Sequence, residues 1–171
     1  MNVKRYATTA ALIATLIAAP AMSIAADLSL NSTGIGSIKI GMRLAKIPVP
    51  LEEPIQRTAF NASGSCFYVS PRKTPGVHMM IEDDVLTRID VDDPGVKTKE
   101  GVGVGDPISK VKDTYGRHAL ETPNFYDEAQ PEFTINSKDG RYSLRFSTTG
   151  GKVTSIIAGR SKSVRYVEGC L

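Results

Sequence analysis

Residues 98–111 read TKEGVGVGDPISKV, and residues 34–47, GIGSIKIGMRLAKI, repeat their pattern at a constant offset of 64. Apolar positions and one glycine coincide in the two segments: Ile38 with Val102, Ile40 with Val104, Gly41 with Gly105, Leu44 with Ile108, and Ile47 with Val111. Self-similarity at a fixed offset is typical of a chain built from copies of one structural unit. The sequence therefore predicts two tandem repeats.

The correspondence continues through three predicted strands in each half. These are residues 67–69 with 133–135, 77–81 with 142–146, and 86–89 with 153–156. Alternating apolar and polar residues predict half-buried strands. We expect an α+β fold, with one antiparallel sheet of about six to eight strands and helices on one face. The repeats would span about 34–91 and 98–168.

The second half carries the clearer helix signal. Asp106 is placed to cap the free amides, Pro107 suits the first helical position, and Gly116 is placed to end the helix. In the first half, Pro48 and Pro50 follow the equivalent segment closely. That helix is therefore expected to last only a turn or two.

Each predicted unit opens with a strand, a glycine and a helix, at Ile40-Gly41-Met42 and at Val104-Gly105-Asp106. The tandem arrangement resembles the β-lactamase inhibitory protein fold, and a single unit is similar to the small protein A class of outer-membrane assembly lipoproteins. The resemblance covers most of residues 34–168 and implies a sheet that binds another protein across one face. No target-binding position of the inhibitor matches here, and the chain lacks the tryptophan expected of an aromatic-rich binding face.

Residues 1–25 have the pattern of a secretory signal peptide. Lys4 and Arg5 precede an apolar run of about 10 residues, and Ser23-Ile24-Ala25 supplies the small residues required for cleavage. We expect cleavage after Ala25, with cleavage one residue later as the alternative. The apolar run is short against the roughly 20 residues that span a bilayer, so no stable membrane anchor is expected. The predicted location is the periplasm or the exterior.

Cleavage would change the charge of the chain, because the signal segment holds two basic residues and no acidic one. The full chain has 21 basic and 18 acidic residues, so its formal net charge of +3 would fall to +1. A charge this close to zero gives no support for binding nucleic acid or an anionic membrane. Residues 26–171 have the length of one domain.

Cys66 and Cys170 are the two cysteines of the chain. In an oxidising compartment we expect them to form a disulfide, which would tie the C-terminus to the middle of the chain. The closed loop of about 105 residues corresponds to somewhat over 4 kcal/mol in the chain-entropy estimate. The alternative is a pair of redox-active thiols, but no Cys-x-x-Cys spacing supports it.

Catalytic, cofactor-binding and metal-binding residues are not predicted from the motifs. Ser70-Pro71-Arg72-Lys73 has the Ser-x-x-Lys spacing of penicillin-recognising enzymes, but the Ser-Asp-Asn and Lys-Thr-Gly elements are missing. A strand end followed by a basic turn is expected instead. The glycines in 101–105 lack phosphate-loop spacing. His78 and His118 lack the spacing of a metal or catalytic pair.

An acidic stretch offers the remaining ion-binding pattern. It contains Glu82, Asp83, Asp84, Asp90, Asp92 and Asp93. Such carboxylates could bind Ca²⁺ from two neighbouring loops, but they show no EF-hand pattern and a predicted strand, 85–91, separates them. Turn formation and solubility are sufficient roles for them.

Phe125 and Tyr126 are adjacent aromatic residues in a long loop between Pro123 and Pro131. One ring could simply cover an edge of the core, or the two could contact a partner, because aromatic rings on a stiffened loop are effective anchors. Our hypothesis is an exported, non-enzymatic protein-binding module with an unidentified protein partner. The alternatives are a small-molecule or metal-ion binder that uses the acidic loops, and a small hydrolase that uses Ser70 or a histidine.

Overall fold

The computed structural model describes residues 28–52 and 66–170, so the predicted signal peptide lies outside the described residues. We number the strands and α-helices in chain order. The strands are β1 (Leu30–Asn31), β2 (Gly34–Ile35), β3 (Ile38–Lys39), β4 (Cys66–Val69), β5 (Val77–Glu82), β6 (Val85–Val91), β7 (Leu120–Pro123), β8 (Pro131–Asn136), β9 (Tyr142–Thr149) and β10 (Lys152–Arg160). The helices are α1 (Ile108–Tyr115) and α2 (Ser161–Val164), and single 3-10 turns span Leu44–Lys46 and Gly116–His118.

Strands β4 to β10 form a seven-stranded sheet in the order β4-β5-β6-β10-β9-β8-β7. All neighbouring strands are antiparallel. The two halves of the chain meet at the centre, where β6 pairs with β10 and Val91 lies opposite Ile156. Strands β1–β3 form a separate three-stranded sheet. The mainly antiparallel α+β architecture agrees with the sequence prediction, and the larger sheet lies within the predicted range of six to eight strands.

One face of the large sheet carries the hydrophobic core. Its buried side chains alternate along the strands and include Phe67, Val69, Val77, Met79, Ile81, Leu86, Ile89, Val91, Phe133, Leu144, Phe146 and Ile156. The small sheet and α1 cover this face, since Leu30, Ile35 and Val111 belong to the same buried cluster. Each such side chain contributes about 1.5–3 kcal/mol on burial, so a one-residue slip of a strand would be costly.

The two α-helices lie on different faces of the sheet. Val111 of α1 is part of the core, whereas α2 lies against the other face, where the Ser163 carbonyl accepts a hydrogen bond from Arg88. The expectation of helices on one face therefore describes α1 alone, and no periodic sequence signal indicates the single turn of α2. Among the described residues, no helix is long and apolar enough to cross a membrane.

The connection from each glycine-led segment to the sheet has the same hydrogen bonds in both halves. The Gly41 amide donates to the Leu86 carbonyl, and the Gly105 amide donates to the Val153 carbonyl. The reverse bonds, from the Leu86 amide to Met42 and from the Val153 amide to Asp106, also correspond. The hairpin turns before these strands contain the positive-φ pairs Asp83–Asp84 and Gly150–Gly151. The two halves therefore have the same local backbone geometry at these glycines and at the turns before β6 and β10.

Asp106 does not cap α1, which corrects the expectation from the sequence. The N-cap position is Pro107, and no side chain bonds the helix amides there. The Asp106 carboxylate instead accepts hydrogen bonds from the Gly103 amide at 2.7 Å and from Lys110 Nζ at 2.8 Å. The bond from Lys110 is the main cause of the lowered pKa of Asp106. Gly116, at φ 52°, ends the helix as expected.

Candidate functional site

The face of the large sheet opposite the core, which we call the outer face, carries both polar and apolar side chains. Tyr68, Arg88 and Arg145 lie on it, and Tyr68 and Arg145 each stand between core-facing neighbours in their strands. The chain end, residues 161–170, runs over part of this face, and we call it the C-terminal strap. Its last described residue forms the Cys66–Cys170 disulfide, with the two Cα atoms 5.4 Å apart. The outer face is therefore partly covered.

Arg88 holds the strap onto the sheet. Its Nε and Nη2 donate to the two carboxylate oxygens of Asp90 at 2.6 and 2.9 Å, and its Nη1 donates to the Tyr166 carbonyl at 2.9 Å. The Tyr68 hydroxyl donates to the same carboxylate at 3.1 Å. Burial disfavours the charged form of Arg88, but the bonds to Asp90 outweigh it and raise the pKa of the guanidinium. This cluster is fully paired and stabilises the fold.

An open groove continues along the rest of the outer face, and we call it the outer groove. It consists of three adjoining cavities of about 520, 200 and 650 Å³. Ser155 and Ile157 of β10 line the first two cavities. Phe125, Arg145 and Val167 line the second and third. The groove thus has an apolar floor, one aromatic wall and one wall formed by the strap.

Arg145, unlike Arg88, has no bonded partner on the outer face. Its Nε is buried and has no hydrogen-bond partner, and its guanidinium forms no ion pair within the described residues. Glu132 lies near it, but the Oε1 atom of Glu132 accepts bonds from Asn124 Nδ2 and Ser147 Oγ. Burial lowers the pKa of Arg145 and Glu132 opposes this only in part. The Arg145 guanidinium, buried at its Nε, therefore faces the groove without a counter-ion bonded to it.

The loop between β7 and β8, residues 124–130, which we call the aromatic loop, exposes both predicted contact residues to solvent. Phe125 and Tyr126 are 74% and 66% exposed, and their rings make an edge-to-face contact at 5.2 Å. Asn124 fixes the loop, because its Oδ1 accepts bonds from the Tyr126 and Asp127 amides at 2.8 and 3.2 Å. Neither ring covers the core edge. Phe125 instead borders the outer groove.

Ser70, His78 and Asp92 lie together at one end of the outer face. The Ser70 hydroxyl is 3.0 Å from His78 Nδ1, and His78 Nε2 is 3.5 Å from an Asp92 carboxylate oxygen. Serine, histidine and aspartate in this sequence of contacts are the components of a hydrolytic triad. However, Ser70 is only 6% exposed and does not border any of the three cavities.

The remaining candidates from the sequence are not brought together. His118 lies in the 3-10 turn after α1 and has no hydrogen bond or ion pair in the described part of the chain. The acidic stretch is divided among separate partners: Asp84 pairs with Arg43 at 3.8 Å, Asp90 with Arg88, and the Glu82 carboxylate accepts a bond from Ser163. Over residues 28–52 and 66–170, no three metal-ligating side chains of these types form a cluster.

Sequence reasoning missed Arg88 and Arg145, and it included Asp90 only as a member of the acidic stretch. The alternation of β6 offers a signal for the pairing of Arg88 with Asp90, because residues two apart on a strand share a face. Arg145 sits at an ordinary polar position of β9. Its lack of a partner depends on residues from other strands, so the local pattern does not reveal it.

No family model and no curated protein matches this sequence. A likeness to a solved structure was found, with the crystal structure of the uncharacterized protein YfeY from Escherichia coli. The match has a TM-score of 0.51 and 19% sequence identity, and it covers 77% of this chain and 99% of that chain. At this identity the likeness concerns the fold alone, so this chain shares its overall architecture with YfeY.

Proposed function

We propose that this chain is an exported, non-enzymatic protein-binding module that contacts its partner through Phe125, Tyr126 and the adjoining outer groove. The observation that carries the proposal is the exposure of two aromatic rings on a loop fixed by Asn124. Exposed aromatic surface next to a groove is typical of interaction sites. A preorganised loop loses little conformational entropy on binding, which favours affinity.

The proposed location is the periplasm or the exterior. A signal peptide over residues 1–25 would direct the chain there, and the Cys66–Cys170 disulfide suits an oxidising compartment. The mature chain would be a single domain of two diverged repeats, about 34–91 and 98–168. The matching bonds of Gly41 and Gly105 to the sheet support this duplication.

Divergence between the repeats supports a specialised outer face. The hairpin registers, with Met79 opposite Ile89 and Phe146 opposite Ile156, place His78 of β5 and Arg145 of β9 at corresponding positions of the sheet, two residues from the sequence alignment of these strands. His78 has two polar partners, whereas Arg145 has no hydrogen-bond partner for its Nε. The resemblance to the β-lactamase inhibitory protein fold implies binding across such a sheet. The second half of the outer face is therefore our proposed contact surface.

We predict that Phe125→Ala/Tyr126→Ala lowers affinity for the partner by at least about 30-fold, because truncated aromatic anchors typically cost about 2 kcal/mol or more. The free energy of unfolding should change by less than about 0.5 kcal/mol, since both rings are exposed. A photo-crosslinking amino acid at position 125 would first trap the partner in cells, and calorimetry would then compare affinities. Leu28→Ala, an exposed apolar residue elsewhere, is the matched control. Failure of repeated crosslinking at position 125 to yield one dominant adduct would contradict the proposal.

The contacts of Ser70, His78 and Asp92 favour a hydrolase as the second candidate. In that case Ser70 Oγ would attack a carbonyl carbon, His78 Nδ1 would accept the hydroxyl proton, and Asp92 would orient the imidazole through Nε2. The burial of Ser70 argues against it, because a substrate must reach the nucleophile.

A fluorophosphonate probe decides between these two candidates, since it labels activated serines covalently. We predict no labelling of the wild-type protein above the level of Ser70→Ala, as measured by intact mass. Ser70→Ala should also retain full partner binding. Labelling that disappears in both Ser70→Ala and His78→Asn would instead establish an activated serine and overturn the non-enzymatic proposal.

A further inference from the structure

Two arginines on the outer face differ sharply in how their charges are neutralised. Arg88 donates to both oxygens of Asp90 and to the Tyr166 carbonyl, so its charge is compensated within the fold. Arg145 has a buried Nε without a partner and no ion pair in the described residues. Leaving the buried Nε–H without an acceptor costs free energy, so the stability of the fold does not explain this arrangement. Such a residue is expected where a ligand supplies the missing acceptor.

The surroundings of Arg145 define the acceptor. Glu128, Glu132 and Arg165 line the same cavity as Arg145, so the formal charges of the lining sum to zero. A single carboxylate would add one negative charge there, whereas a dianionic phosphate would add two and be repelled more strongly by the two glutamates. A guanidinium presents paired N–H donors in a plane, which matches the two oxygens of a carboxylate. The charge and the geometry both favour a monoanionic carboxylate.

The rest of the groove defines what carries that carboxylate. Ile157 and Ser155 continue the floor away from Arg145, and Val167 and Phe125 form apolar walls. The three adjoining cavities make an elongated and open channel rather than an enclosed pocket for a small molecule. An extended segment with alternating apolar and acidic side chains fits this lining.

We propose that the outer groove binds an extended peptide segment of the partner, in which an aspartate or glutamate carboxylate pairs with Arg145 and a neighbouring apolar side chain packs against Phe125, Val167 and Ile157. This inference rests on the proposed protein-binding function and names the chemistry of the partner. Arg145 is the specificity determinant and the aromatic loop is the general anchor.

The probe is a pool of capped hexapeptides that contain one Glu between apolar residues. The isosteric control is a second pool in which Gln replaces that Glu. Binding would be followed by NMR at the Arg145 Nε–H resonance, assigned by its absence in Arg145→Met. We expect the Glu pool to shift this resonance and the amides of Ser155 and Ile157, with affinity at least about tenfold above that of the Gln pool. Equal binding of the two pools, or binding of neither, would overturn the inference.

Substitutions separate a binding role of Arg145 from a structural one. Arg145→Met should lose the preference for Glu over Gln and yet be at least as stable as wild type, because an apolar side chain of similar size removes the buried, unpaired Nε–H. Arg141→Met is the matched control, since Arg141 is exposed, pairs with Asp139 and lines none of the three cavities. It should leave the preference unchanged. A large loss of stability in Arg145→Met would mark the residue as structural and contradict the proposal.

Two further outcomes have defined meanings. If 4-phenylbutyrate shifts the Arg145 resonance as strongly as the Glu pool, the groove is a site for small acids and the peptide inference is wrong. If a partner crosslinks at position 125 but binds Arg145→Met with unchanged affinity, the carboxylate inference fails while the protein-binding function stands. Absence of any adduct at position 125 would instead remove the proposed function itself.

Discussion

Cys66→Ala/Cys170→Ala is expected to lower the free energy of unfolding by about 4 kcal/mol. The disulfide joins residues separated by 104 positions in the sequence. Closing a loop of this length removes much of the conformational freedom of the unfolded chain, and the chain-entropy estimate for such a loop is about 4–5 kcal/mol. A domain of this size has only about 5–15 kcal/mol in total, so the variant should be markedly less stable. Urea unfolding measures the change.

The disulfide also holds the C-terminal strap on the outer face. Gly169, at φ 67°, packs so closely on the Tyr68 hydroxyl that a Cβ there would collide with it. Amide hydrogen exchange over residues 165–170 should therefore accelerate more in the variant than exchange in the central strands β6 and β10. Reduced wild type serves as the control and should unfold at the same urea concentration as the variant. A loss below about 1 kcal/mol would contradict the stabilising role of the bridge.

Much of the fold could be predicted because its signals are local. Strands β5 and β9 follow alternating apolar residues, and that period of two is fixed by strand geometry. Gly41 and Gly105 adopt φ values of 94° and 87°, a region that strongly favours glycine. Their repetition in the sequence therefore indicates a repeated turn. By contrast, the pairing of β6 with β10 is set by contacts between distant residues, which no local pattern encodes.

The contacts of Asp106 show how one local interaction can take the place of another. Asp106 precedes Pro107 and is a favourable residue for an N-cap. Its carboxylate is taken by the Gly103 amide and by Lys110, both within four residues, so it stabilises the glycine-led turn instead. The sequence identifies a polar residue that would be bonded locally, but not which amides would donate to it.

The candidate site divides in the same way. Phe125 and Tyr126 could be selected from the sequence because two aromatic residues between prolines have few apolar neighbours to bury them. Arg145 could not be selected in this way, because its lack of a hydrogen-bond partner depends on the residues that β8, β10 and the strap place around it. The approach of Ser70 to His78 likewise requires the hairpin register of β4 and β5, where Val69 lies opposite Met79. Residue types considered one at a time therefore reveal only some of the candidate functional residues on the outer face.

Arg88→Met is expected to lower the free energy of unfolding by about 3 kcal/mol. The side chain is 5% exposed, so its removal leaves the Asp90 carboxylate without both guanidinium donors and the Tyr166 carbonyl without its own. Breaking a buried ion pair from one side typically costs about 3–5 kcal/mol, and Asp90 retains some contact with water, which places the effect at the lower end. The strap should loosen as well, because Arg88 bonds its backbone. Urea unfolding and amide exchange over residues 163–166 measure the two effects.

The double variant Arg88→Met/Asp90→Leu separates the cost of an unpaired carboxylate from the loss of the strap bonds. If the orphaned charge dominates, the double variant should recover at least about half of the lost stability, since replacing both partners of a buried pair by apolar residues is often nearly neutral. The Tyr68 hydroxyl then loses its acceptor, so Tyr68→Phe added to the double variant should recover a further fraction. Equal stability of the single and double variants would show that Arg88 acts mainly through the Ser163 and Tyr166 carbonyls. In that case the strap, rather than the ion pair, would be what Arg88 stabilises, and Arg88→Met should release residues 163–166 without weakening the exchange protection of β6.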